Sequence, residues 1–258
     1  MRRCQSLSCT LPHEASEHRR RASQVRPPFS ASHRAPRDPT RRSFYGPKLE
    51  LQTEISTEPG SETVRVSDTV TNHGGEAQEF ELLYHANYGR PLLEEGATFL
   101  AAAERVIPFN DHAAKSLADY ARYAGPTPGF IEQVYCIHPL ADAEGRTVIA
   151  LQNNAKDRAV SMSFAVKELP FLTLWKNTNS EAEGYVTGLE PGTNFPNNRR
   201  IERKLGRVPK LAPGASRTAT IDFGLHADAD SVKTVAQRIA AIQGAKKPDL
   251  QQAPEKKD

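Results

Sequence analysis

The stretch Gly184–Arg200, GYVTGLEPGTNFPNNRR, places one carboxylate, Glu190, at the end of an apolar run. A loop of Pro191, Gly192, Asn194, Pro196, Asn197 and Asn198 follows at once. A strand ending on an acid before such a loop aims the carboxylate at a pocket. There a pKa raised by burial or a neighbour would make it a general base. The competing reading is a structural acid, bridged to Arg199 or Arg200. His85, in LLYHANYG between Tyr84 and Asn87, has a similar setting at a strand exit. Its imidazole could give a proton to a ring or glycosidic oxygen, or could simply be a core histidine bonded to backbone. Taken together, the two suggest an acid–base pair acting on a ligand rich in hydroxyls.

Further candidates fit the same ligand. Trp175, the one tryptophan, precedes Lys176 and Asn177 in LTLWKNT. An aromatic face beside amide and ammonium donors suits a sugar; a buried core tryptophan is the alternative. In IEQVY, Gln133 and Tyr135 alternate with Glu132 and Val134, so one face of that strand could offer an amide and a phenol. Asn87 and Asn194 could bind hydroxyls, and Asn194 could equally be a turn former. Lys176, Arg199 and Arg200 could meet a phosphate or be solvated. There is no glycine-rich phosphate loop, GxSxG or HExxH, and the histidines show no metal-ligand spacing.

The elements that must position these residues are mostly strands. KLELQTEIST and ETVRVSDTVT alternate on either side of the turn Glu58–Ser61 and predict a hairpin. EFELLYH is expected as the third strand of a meander, with Phe80, Leu82 and Tyr84 on one face. Residues 90–129 are irregular and rich in Pro and Gly. FIEQVYCI, TVIALQ, AVSMSFAV, FLTLWKN, YVTGLE and 216–226 read as further strands. One helix is expected, capped by Asp230, with Val232, Val235, Ile239 and Ile242 on one face and Gly244 ending it. About nine strands and one helix imply an all-β antiparallel sandwich over residues 43–244.

Charge is segregated. Residues 1–42 hold ten arginines against three acids, although the whole chain carries only +3. The body is therefore mildly acidic, which argues against nucleic acid as a partner. Residues 1–42 are expected to be a disordered Arg/Ser/Pro-rich leader, resembling a transit peptide in composition or marking a misassigned start. Residues 245–258 are expected to be a disordered tail. No apolar run approaches the length of a membrane helix, so no membrane partner is expected. Three cysteines form no disulfide framework, and the reducing cytoplasm is the expected compartment.

The motifs LLYHANYGRPLLEEGA, PTPGFIEQVY, LTLWKN and GYVTGLEPGTNFPN resemble the aldose 1-epimerase, or galactose-mutarotase-like, superfamily, and most closely its DUF4432 branch. The resemblance implies a mutarotase-like supersandwich. It implies that His85 in YHANYG is the general acid and Glu190 in LEPGTNFP the general base. Glu190 would take the proton of the anomeric hydroxyl while His85 protonates the ring oxygen. The ring opens, the C1–C2 bond rotates, and closure gives the other anomer, with no cofactor and no metal. Trp175, Lys176, Asn177, Gln133, Tyr135, Asn87 and Asn194 would hold the sugar. Family members add N-terminal strands bearing an arginine or histidine, and nothing before Lys48 matches them, so a sandwich incomplete at its N-terminus is expected. A non-catalytic sugar-binding module and an inactive truncated member are the alternatives.

Overall fold

The computed structural model describes residues 33–34 and 46–256. The expected leader, 1–42, lies outside the described residues apart from β1 (His33–Arg34), whose backbone pairs with β2 (Leu49–Ser56). β2 and β3 (Thr63–Asn72) form the expected hairpin, with Leu51 opposite Val70 and Ile55 opposite Val66. Gly60 takes φ +83° in the connecting turn, a conformation that a side chain would strain.

The meander ends there. Instead of adding a third strand to this hairpin, the chain pairs only Gln78–Glu79 (β4), with a distant segment, Lys210–Leu211. It then crosses to a second sheet through a single bridge, Leu83 to Gly192, and enters β5 (Ala86–Tyr88). The place beside β3 is taken by the much longer strand Ser216–His226, from Ser216 opposite Thr71 to Gly224 opposite Thr63. That strand supplies Ala219 and Ile221 to the core and a ladder of hydroxyl pairs outside, Ser67–Thr220, Thr69–Thr218 and Thr71–Ser216. EFELLYH offers three apolar side chains but no such ladder.

The remaining elements are β6 (Thr98–Ala101), β7 (Ala103–Pro108), α1 (Asp111–Ala114), β8 (Gln133–Pro139), β9 (Arg146–Gln152), β10 (Ala159–Ala165), β11 (Phe171–Thr178), β12 (Tyr185–Gly192), α2 (Arg199–Lys204), β13 (Lys210–Leu211), β14 (Ser216–His226), α3 (Ala229–Gln243) and β15 (Asp249–Leu250). One sheet has the order β1-β2-β3-β14-β10-β9-β6 and the other β15-β7-β8-β11-β12-β5. All pairings are antiparallel except β15 with β7. This is the predicted all-β sandwich. Its core lies between the sheets, where Ile149, Leu151, Met162, Phe164 and Ile221 meet Tyr135, Ile137, Leu172, Leu174 and Leu189.

The helix α3 packs Val235, Ile239 and Ile242 on Val148 and Ala150, on the outer face of the first sheet. Its cap is Asp228 rather than Asp230: the Asp228 carboxylate accepts from the Ser231 N–H at 2.8 Å. The segment expected as a disordered tail is placed through residue 256. Asp249–Leu250 extends the second sheet, and Glu255 forms an ion pair with Arg207. Its polar composition hid this, because the main gains are backbone pairing and one charge pair rather than apolar burial.

Candidate functional site

β12 alternates between two environments. Tyr185, Thr187 and Leu189 enter the inter-sheet core, so Val186, Gly188 and Glu190 face outward. The register extends this outer face across neighbouring strands, with Glu190 opposite Thr173, and Gly188 opposite both Trp175 and Asn87. His85, two residues before Asn87, reaches the same place. Its Nε2 lies 3.0 Å from Glu190 Oε1, and its ring meets Trp175 edge-on at 5.6 Å between centroids. Residues 105 positions apart in sequence thus share one face of one sheet.

Gly188 makes the contact possible. A Cβ there would stand 2.4 Å from Glu190 Oε1 and 3.3 Å from His85 Cε1. The carboxylate therefore folds back over a bare backbone and lies beneath the imidazole. Glu190 is 3% exposed. Its Oε1 and the Thr173 hydroxyl have no aligned hydrogen-bond partner among the described residues, so the contact with His85 is a close charge pairing. The adjacent Glu190 carboxylate raises the His85 pKa above its usual value, against desolvation, and the Asn87 side chain adds to the rise. The pair accordingly favours imidazolium beside carboxylate. Arg199 is paired with Glu81, so the alternative of Glu190 bridged to Arg199 is not the arrangement adopted.

Trp175 and Asn177 share the face with Glu190. The Trp175 indole N–H donates to Glu132 Oε2 at 2.7 Å, and Asn177 Nδ2 donates to the Gly184 carbonyl. Three expected ligand residues lie on the opposite face. Gln133 and Tyr135 point into the core side, where Gln133 Nε2 donates to Ser116 Oγ, and the Tyr135 hydroxyl contacts the Ala113 carbonyl and Gln133 Oε1. Lys176 donates to the Arg122 carbonyl at 2.6 Å and lies over the Tyr123 ring. These three fasten the irregular segment 113–123 to the sheet. Asn194 is buried and bonded to Glu81, Phe195 and Thr193, so it holds the loop after β12 rather than lining the site. Gly188, Thr173 and Glu132 are the residues that sequence reasoning missed. The i, i+2 spacing in GLE was the available signal for Gly188.

Burial pushes the Lys176 pKa down to about 8 from 10.5. Between these values the unfolded chain binds a proton that the folded chain does not, so stability is expected to rise with pH across that window. Chemical denaturation at pH 8 and pH 10 measures this. The rise should be smaller in Lys176→Met, which has no ammonium to bury, and an equal rise in both proteins would contradict the assignment.

The model of the family described as Domain of unknown function (DUF4432) matches residues 39–225. A crystal structure of a candidate aldose 1-epimerase from Klebsiella pneumoniae is similar at 42% identity and TM-score 0.82. The similarity covers 84% of this chain but 56% of that one, so the chain spans little more than half the length of that relative. A galactose mutarotase related enzyme from Lactobacillus acidophilus shares the fold at TM-score 0.53 and 14% identity, over 79% of this chain and 68% of that one. The Slr1438 protein of Synechocystis does so at TM-score 0.50 and 18% identity, over 70% and 55%. No curated protein matches the sequence. Among the described residues, no helix is long and apolar enough to cross a membrane.

Proposed function

The chain belongs to the DUF4432 family, and from that premise we propose that it binds a free sugar in the cytoplasm and interconverts its anomers by acid–base ring opening. The observation that carries this reading is the buried contact of Glu190 with His85 on one outer sheet face beside Trp175. A buried carboxylate in contact with an imidazole of raised pKa sets a base and an acid side by side, which is the pairing that ring opening requires. Glu190 takes the proton from the anomeric hydroxyl, the C1–O5 bond breaks, and His85 delivers a proton to the ring oxygen. After rotation about C1–C2 the roles reverse and the ring closes on the other face. The sugar enters by displacing the direct contact of the pair, so His85, the more exposed partner, swings out over it. Trp175 presents its ring to the C–H face of the sugar, and Asn87 and Asn177 bond its hydroxyls.

The test is anomer exchange by the purified chain, followed by polarimetry on freshly dissolved α-glucose and α-galactose. Rates above buffer support the reading, and a folded chain that only binds sugar sinks the catalytic part. The pH dependence has a definite sign. His85 must be protonated to act as the acid, and its pKa is raised, so exchange is expected to persist above the usual histidine range and then fall as pH rises through the raised value. A rate limb centred below the pKa of an ordinary histidine would contradict this.

A further inference from the structure

A groove lies on the other side of the sandwich, over the outer face of the first sheet. It encloses about 960 Å³ between the β2–β3 hairpin, strands β9, β10 and β14, and helix α3. We propose that this groove is a second binding site, for a neutral oligosaccharide.

The floor is built from side chains already locked to one another. Asp222 accepts from Arg65 through two bonds, at 2.6 and 3.1 Å, and from Arg146 at 3.0 Å. One row further along, Ser161 Oγ lies 2.9 Å from His226 Nε2. Gly224 stands beneath that second pair as Gly188 stands beneath Glu190 and His85. A Cβ there would lie 2.7 Å from Ser161 Oγ and 3.4 Å from His226 Nε2. Each polar group thus has a fixed direction before any ligand arrives, which lowers the ordering cost of binding.

The charge pattern selects the ligand. Three arginines and four acids line the groove, so neither an anion nor a cation is favoured as a whole. Asp222 satisfies two guanidiniums at once, and desolvation lowers the His226 pKa, which favours its neutral form. What remains facing the groove is a mixture of spare N–H donors and oxygen lone pairs. A sugar hydroxyl both donates and accepts, so a polyhydroxylated ligand matches such a lining, whereas a phosphate offers mainly acceptors and carries charge. The exposed Leu225 adds apolar surface for a C–H face. Ligand pockets span roughly 300–1,000 Å³, so this groove has room for more than one sugar ring.

The proposal is independent of the anomer chemistry and is tested on the full chain by following the His226 ring resonance. The probes are maltotriose, cellotriose, glucose and inorganic phosphate. A saturable shift with at least one trisaccharide, weaker with glucose and absent with phosphate, is expected. Ser161→Ala should weaken binding about tenfold, the effect of one lost hydrogen bond. Thr63→Trp, at an exposed position on the groove wall, should abolish binding by filling it without touching the core. Glu190→Gln should leave it unchanged. The proposal is overturned by phosphate binding in preference to both trisaccharides, by no response to either, or by a response that survives Thr63→Trp or is lost in Glu190→Gln.

Discussion

Glu190→Gln is expected to slow anomer exchange by roughly 10²–10⁴-fold, the usual contribution of a positioned acid or base. Glutamine fills the same volume but cannot accept the anomeric proton. The substitution also removes the principal cause of the raised His85 pKa, so the imidazole should titrate at a lower pH in the variant. Two readouts therefore move together: exchange by polarimetry and the His85 titration by NMR. The fold should persist, because the change removes a buried charge rather than leaving one alone. His85→Ala differs on this point. It strands the Glu190 carboxylate without a counter-charge, and breaking a buried pair in that direction costs about 3–5 kcal/mol. A folded Glu190→Gln protein that exchanges anomers at the original rate would sink the proposed chemistry. A lost rate with an unchanged His85 titration would separate the base from the pairing described here.

How much of this site was legible depends on how alternation is read. In LTLWKNT the period of two puts Leu172, Leu174 and Lys176 on one face, and Thr173, Trp175 and Asn177 on the other. The leucines mark the first face as the core. Lys176 still reads as a sugar ligand in that pattern, as an ammonium donor beside an aromatic face, and an ammonium is expensive to bury. The structure offsets that expense with the Asp119 and Arg122 carbonyls and the Tyr123 ring, all from a segment without regular periodicity. IEQVY carried a deeper ambiguity. Tyr135 and Ile137 on one face, and Val134 and Cys136 on the other, are both apolar enough to be interior. Only the opposing sheet decides between them. Glu190 was legible because it closes the apolar run YVTGLE, although β12 continues past it through Pro191 and Gly192 instead of breaking there, and His85 because it precedes the short edge strand β5. Their contact was not, since β5 and β12 are joined by a pairing that spans a hundred residues. The same non-local choice defeated the expected meander, where β14 displaced the segment that followed β3 in sequence.

Gly188→Ala isolates the geometry from the chemistry, because every reacting group is retained. The backbone at Gly188 lies outside the left-handed region, so alanine meets no conformational penalty and the change tests space alone. The new methyl would stand 2.4 Å from Glu190 Oε1, far inside contact distance, with Gly188 in the middle of a central strand. Either the carboxylate rotates away from His85, or the strand shifts. Overpacking of this kind costs about 1–3 kcal/mol. In both cases the acid and base lose their alignment, and a displacement of about 1 Å can slow a reaction by 10²-fold. Exchange is therefore expected to fall nearly as far as in Glu190→Gln, with the His85 titration moving toward its ordinary range. Gly75→Ala serves as the control, since a Cβ there meets nothing within 4 Å and should change neither stability nor rate. If Gly188→Ala kept both the exchange rate and the raised His85 titration, the carboxylate would have another resting position from which it works. The space left bare at Gly188 would then not be what sets the working position of Glu190.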